Sequence, residues 1–220
     1  METKRWMSEN NPDVMNQLAA TLGLSAELQF YDVYSLDEPE LLAHIPHPAL
    51  ALLVIIPLTS AWDRSRKVED AEKAAEFIMP NSSLAEIRSH ATPLDVTKRA
   101  EMLYNSEPFE RAHKSVEQSG DSEADVTGER EGGHFVSFVK SGGKLWELEG
   151  SRNGPLDRGA LSDDEDVLSP QALEMGIKRI IKLNTNGGRK FLGFSCIALA
   201  RRWAEDCITL CGCTMLLSET

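Results

Sequence analysis

The sequence predicts an α/β domain, and three observations carry that reading. Apolar residues recur at helical spacing from near the start, with Val14, Leu18 and Leu22 at i, i+4 and i+8. Ala49 to Ile56 is a short, continuously apolar run, the pattern of a strand covered on both faces and therefore central in a sheet. Two β-rich stretches, His134 to Lys140 and Lys144 to Glu149, flank Ser141-Gly142-Gly143, a hairpin signature. At 220 residues and 41% hydrophobic content the chain can bury one substantial core, so a single domain with or without a tail is the expected organisation.

The elements follow in order. Asn11-Pro12-Asp13 supplies an N-cap, a proline at the first helical position and an acid in the first turn, and Gly23 stops the helix. Gln29 to Tyr34 alternates as a strand does, and Asp37 with Glu40 has capping-box spacing for a short helix through Ala43. Pro46 and Pro48 then break the chain before the central strand. A charged helix is expected from Val68 to Phe77, a helix capped by Asn81-Ser82-Ser83 up to about His90, and two more over Asp95 to Tyr104 and Pro108 to Gln118, the last capped by Ser106. From Glu117 to Gly133 six of 17 residues are acidic, which predicts a mobile loop delivering the chain to His134. After the hairpin and a second acidic loop at Asp163 to Asp166, Ser169-Pro170 caps one helix with Leu173, Ile177, Ile180 and Ile181 on its apolar face. Phe191 to Leu199 is the last strand, and neither an internal repeat nor a glycine-rich phosphate loop is present.

Composition narrows the function classes. Thirty-five acids against 23 bases give a formal charge of −12 and a field that repels phosphates, which argues against nucleic acid and anionic membrane and favours a basic partner. The plainer reading is that the charge only keeps the protein soluble. The start, Met-Glu-Thr-Lys-Arg-Trp, leads into no apolar stretch, and all four cysteines, Cys196, Cys207, Cys211 and Cys213, cluster near the end. Both features predict a cytoplasmic or nuclear protein in a reducing compartment, with no disulfide framework and no membrane span.

His134 and Glu149 are the residues that carry chemistry. An imidazole oriented by a carboxylate is the base of nucleophilic catalysis, and it needs a Cys or Ser within reach. Register decides whether the two cooperate. A two-residue type I′ turn at Gly142-Gly143 pairs Ser141 with Lys144 and sets Glu149 opposite Val136, so His134 becomes a diagonal neighbour on Glu149's face. A three-residue loop would put them on opposite faces. On these residues alone an ordinary strand-end histidine and a solvated glutamate is the stronger reading.

The ordered motifs change that balance. Trp6 with Asn11 to Gln17, Gln29 to Tyr34, the Glu40-Leu41-Leu42 to Pro48 passage, Ala51 to Pro57, His134-Phe135-Val136, Leu145 to Gly150, Gly154 to Gly159 and Phe194 to Ala200 together resemble the ubiquitin C-terminal hydrolases. These are papain-like cysteine proteases that cleave after the C-terminal glycine of ubiquitin. The resemblance covers most of residues 6 to 200 and leaves 201–220 as an unmatched tail. It implies an antiparallel sheet sandwiched by helices, with residues 117–133 as the crossover loop before the catalytic histidine. It places His134 on that histidine and Glu149 where the family usually has aspartate, one methylene longer with the same charge. It also implies that Glu9 and Asp32 meet the basic C-terminal tail of ubiquitin or of a ubiquitin-like protein, that the chain is a monomer, and that no cofactor is involved.

One departure is serious. Between Leu58 and Phe77 the family carries an oxyanion-stabilising glutamine and then the nucleophile in an Asn-Ala-Cys-Gly motif at a helix start; here Trp62 to Glu76 is charged and has neither Gln nor Cys. Cys196 falls in a strand position that the family fills as core, and Cys207, Cys211 and Cys213 suggest zinc only faintly, so no metal site is expected. The expected protein is thus an incomplete, hydrolase-like fold without its nucleophile-bearing helix. The resemblance makes it a cysteine-type deubiquitinase by family that is expected to be inactive without its nucleophile; the alternatives are a non-catalytic ubiquitin binder and a non-functional product of altered splicing or gene annotation, and the chain is expected to be less stable than a complete family member.

Overall fold

The computed structural model describes residues 10–57, 78–117, 119, 133–150, 152, 154–186 and 194–203. The expected charged helix at Val68 to Phe77, most of the acidic loop and nearly all of the tail lie outside these residues.

Helix α1 spans Pro12–Leu22, with the Asn11 side chain accepting from Asp13 N–H at 2.9 Å. Gly23 ends it at φ 97°, and a Cβ there would fall 2.1 Å from Ser82 Cβ, so glycine is needed both for its left-handed backbone and for the contact with the next helical region. Strand β1 is Leu28–Asp32 and β2 is Ala51–Pro57. Between them the expected helix to Ala43 shrinks to a 3₁₀ turn at Pro39–Leu41. Asp37 does not cap it: the Ser35 hydroxyl accepts from the Asp37 and Glu38 N–H groups, while the Asp37 carboxylate pairs with Lys178 Nζ at 2.6 Å.

Helices α2 (Ser83–Ala91), α3 (Val96–Tyr104) and α4 (Glu107–Lys114) start at side-chain caps on Ser82, Asp95 and Ser106. Strands β3 (Gly133–Ser141) and β4 (Lys144–Glu149) form the hairpin, and β5 (Leu156–Ala160) pairs with β4 at the sheet edge. This last strand has no apolar alternation to announce it. The expected single helix after Ser169 is two, α5 (Pro170–Met175) and α6 (Ile177–Asn186), broken at Gly176. A Cβ on Gly176 would lie 3.0 Å from the Ala172 carbonyl and 3.1 Å from the Phe138 ring, so the break lets the helices close down on the sheet. Strand β6 is Ser195–Arg201.

The six strands pair antiparallel in the order β1-β6-β2-β3-β4-β5, with β2 in the interior as its composition predicts. One face is thoroughly covered: Leu52, Val54, Ile56, Val136, Phe138, Leu145 and Ala198 pack with Leu173, Ile177 and Ile180 of α5 and α6. On the other face α1 packs along β1, where Asn16 accepts from Phe30 N–H and donates to Phe30 O. Val14, Leu18 and Leu22 then join Ala112 and Val116 from the α4 region in a second cluster. Farther across that face Leu53, Ile55, Phe135, Val139, Trp146 and Leu148 stay half-buried and belong to neither cluster. Among the described residues no helix is long and apolar enough to cross a membrane.

Candidate active site

The turn is the two-residue one, with Gly142 at φ 59° and Gly143 at φ 72°. Ser141 pairs with Lys144 and Val136 with Glu149, which makes His134 the diagonal neighbour of Glu149. His134 Nε2 meets Glu149 Oε1, and the Glu149 side chain is wholly shielded while that of His134 is 24% exposed. With Nε2 engaged by the carboxylate, proton exchange with a nucleophile would have to run through Nδ1.

Strand direction gathers the candidate residues at one end of the sheet. His134 starts β3 opposite Ile56 near the end of β2, Glu149 ends β4, Ser195 starts β6 and Asp32 ends β1. The chain leaves β2 at Pro57 from this same end, towards the stretch where a nucleophile is expected and which lies outside the described residues. Asp32 and Asp13 line an open cleft with Asn10, Asn11 and Pro12. Asn10 Nδ2 donates to Ser195 Oγ at 3.0 Å, tying the segment before α1 to β6. Glu9 lies outside the described residues, next to this cleft in sequence.

No described thiol serves His134. Cys196 is 4% exposed in β6 opposite Val54, and β2 separates it from β3, a lateral distance of about 10 Å at ordinary strand spacing. Burial pushes its thiol up to about 12, so it is neither near nor ionised. Cys207, Cys211 and Cys213 lie outside the described residues, and among the described residues no three His, Cys, Asp or Glu side chains gather as a metal site would.

Sequence reasoning missed the group beneath the pair. Glu147, two residues before Glu149 on the same face, has a fully buried side chain held by two arginines. Oε1 accepts from Arg152 Nε at 3.1 Å and Nη2 at 2.7 Å, and Oε2 accepts from Arg158 Nε at 2.7 Å and from Arg158 Nη2. Burial lowers the pKa of Arg158 and Glu147 opposes that shift. The signal available in the sequence was the pair of arginines soon after an acid-bearing strand.

The site is thus a His–carboxylate pair carried by the β3–β4 hairpin of a six-stranded antiparallel sheet. The chain matches the family described as ubiquitin carboxyl-terminal hydrolase, family 1, over residues 6–78 and 74–182, and it belongs to that family. It is 29% identical to ubiquitin carboxyl-terminal hydrolase 3 of Arabidopsis thaliana over 238 aligned positions, covering 91% of this chain and 96% of that protein. It is also 29% identical to ubiquitin carboxyl-terminal hydrolase isozyme L1 of Rattus norvegicus over 189 positions, 71% of this chain and 83% of that one. Its fold resembles the UCH37 catalytic domain of Trichinella spiralis solved bound to ubiquitin vinyl methyl ester, with a TM-score of 0.69 at 21% identity over 88% of this chain and 94% of that one.

Proposed function

We propose that this family member recognises the C-terminal tail of ubiquitin, or of a ubiquitin-like protein, without hydrolysing the bond that follows it. One observation carries the reading: no cysteine precedes Cys196 in the sequence, so the stretch where the family has its nucleophile contains none. A His–Glu pair without a thiolate can at best assist water. The alignments support a lost segment. That with the Arabidopsis relative runs for 238 positions while 91% of this chain is about 200 residues, so roughly 38 positions face a gap in this chain. Recognition needs only the acidic cleft, whose lining includes both Asp32 and Asp13 and which Glu9 precedes in sequence. The same gap favours a second reading, a splice or gene-annotation product without a function of its own, which comparison with the transcript would decide.

The expected result of releasing a fluorophore from the ubiquitin C-terminus is no turnover above background and no adduct with a ubiquitin C-terminal electrophile. Turnover abolished by His134→Ala would sink the reading, and turnover lost in Cys196→Ser would relocate the nucleophile. In a binding titration, affinity for ubiquitin should fall as salt rises and fall again in Asp32→Lys, because a half-buried acid that lines an open cleft and faces a basic tail steers association and is screened. Affinity indifferent to both would leave Asp32 a solvated strand residue.

A further inference from the structure

Glu147 is outnumbered by the arginines around it. Its Oε1 accepts from Arg152 Nε and Nη2 and its Oε2 from Arg158 Nε and Nη2, a side-on fork at each oxygen, so both Nη1 groups turn away from the carboxylate. Arg152 Nη1 is buried and has no hydrogen-bond partner among the described residues. A third guanidinium stands in the same electrostatic neighbourhood. Burial lowers the Arg158 pKa most, Glu147 opposes that, and the charges of Arg179 and Arg152 add to the lowering.

Arg179 is exposed in the first turn of α6, at the helix end whose free amides carry partial positive charge. Packing brings that end to β5. A Cβ on Gly159, the residue after Arg158, would fall 2.7 Å from Met175 Sδ, and Met175 ends α5 two residues before α6 begins. Among the described residues no carboxylate pairs with Arg179. The acids nearest to the cluster in sequence are committed elsewhere: Glu174 to Lys182 at 2.6 Å, Asp157 to Lys144 at 2.5 Å and Glu149 to His134. Three guanidiniums therefore share one carboxylate, in a chain that has 35 acids to 23 bases.

Neutralising Glu147 needs one arginine, and the others add repulsion that a bound anion relieves. We propose that this corner, between β5 and the start of α6, binds a small tetrahedral oxyanion of the phosphate type. Guanidiniums hold oxyanions through paired N–H groups, and the surplus of positive charge favours a dianion over a monocarboxylate. The shielding of Arg152 and Arg158 from solvent suits a free ion better than a group carried on a macromolecule. The inference is independent of whether the chain binds or turns over ubiquitin.

Inorganic phosphate is the probe, with sodium chloride at matched ionic strength as the reference. The melting temperature of the whole chain should rise saturably, by about 3 °C or more at phosphate well above the dissociation constant. Sulfate should act alike and acetate should not. Equilibrium dialysis with radiolabelled phosphate should give a single ion per chain, which keeps the test decisive if the melt is broad. Arg179→Gln removes an exposed charge that pairs with no carboxylate and leaves the fold intact, and it should weaken phosphate binding by about fivefold or more. Lys98→Gln removes the same charge from the exposed surface of α3 and should leave the affinity unchanged. Phosphate no better than chloride at equal ionic strength, or affinity equal in the whole chain and in Arg179→Gln, would overturn the inference. Equal losses in Arg179→Gln and Lys98→Gln would overturn it too, because the effect would then belong to net charge.

Discussion

Glu147→Ala should cost about 3–5 kcal/mol of stability, more than other single substitutions at the site, because it leaves the Arg152 and Arg158 guanidiniums charged and shielded from water with no carboxylate between them. The two arginine side chains are 2% and 7% exposed, and Arg152 Nη1 already lacks a hydrogen-bond partner among the described residues, so water cannot readily take the carboxylate's place. The measurement is the urea midpoint at constant slope. A loss below about 1 kcal/mol would show that water already penetrates the cluster. Replacing Glu147, Arg152 and Arg158 together by apolar residues of similar size should cost much less, since the penalty belongs to the unpaired charge and not to the absence of the pair. Because Glu147 and Glu149 share a strand face, the single substitution should also loosen His134.

The second large effect is on the chain as a whole, which should melt far below isozyme L1 of Rattus norvegicus when both are scanned side by side. One face of the sheet is closed by α5 and α6; on the other, among the described residues, α1 packs along β1 and six apolar side chains across β2 to β4 are half-buried. A single buried Leu→Ala costs about 2–5 kcal/mol and a whole domain holds about 5–15 kcal/mol, so several incompletely covered side chains consume much of that reserve. Stronger dye binding than that of the complete relative is expected, with a cooperative transition at lower temperature. A sharp melt at the temperature of the complete relative would show that the sheet has repacked.

Where a signal was local, the sequence read correctly. Asn11, Ser82, Ser106 and Ser169 each cap a helix because a short polar side chain has only to reach an N–H two or three residues on. The Gly142-Gly143 turn fixes the hairpin register for the same reason. What escaped was decided at a distance. Asp37 turns to Lys178 on α6 and the 3₁₀ turn starts at Glu38 with no side-chain cap, and Gly176 breaks a helix where a Cβ would crowd the Phe138 ring of β3. Strand β5 exists through its pairing with β4, and Glu147 is buried because two arginines from later in the chain neutralise it, reversing the usual expectation that the acidic side of Leu145 to Glu149 faces water. In the candidate site, the relation of His134 to Glu149 could be worked out from turn chemistry, whereas the cleft joining Asn10, Asp13 and Asp32 depends on where α1 settles on the sheet.

His134 and Glu149 stand 15 residues apart in sequence on one hairpin, whose tight turn sets the register that makes them diagonal neighbours. Such a unit forms early and survives rearrangement elsewhere, since local contacts pay little loop entropy. A well-formed dyad is therefore poor testimony to present activity: a lineage can discard the nucleophile while the base and its orienter persist unchanged, kept by strand pairing and burial alone. In this family, competence is better diagnosed from the segment that must travel to the hairpin than from the hairpin itself.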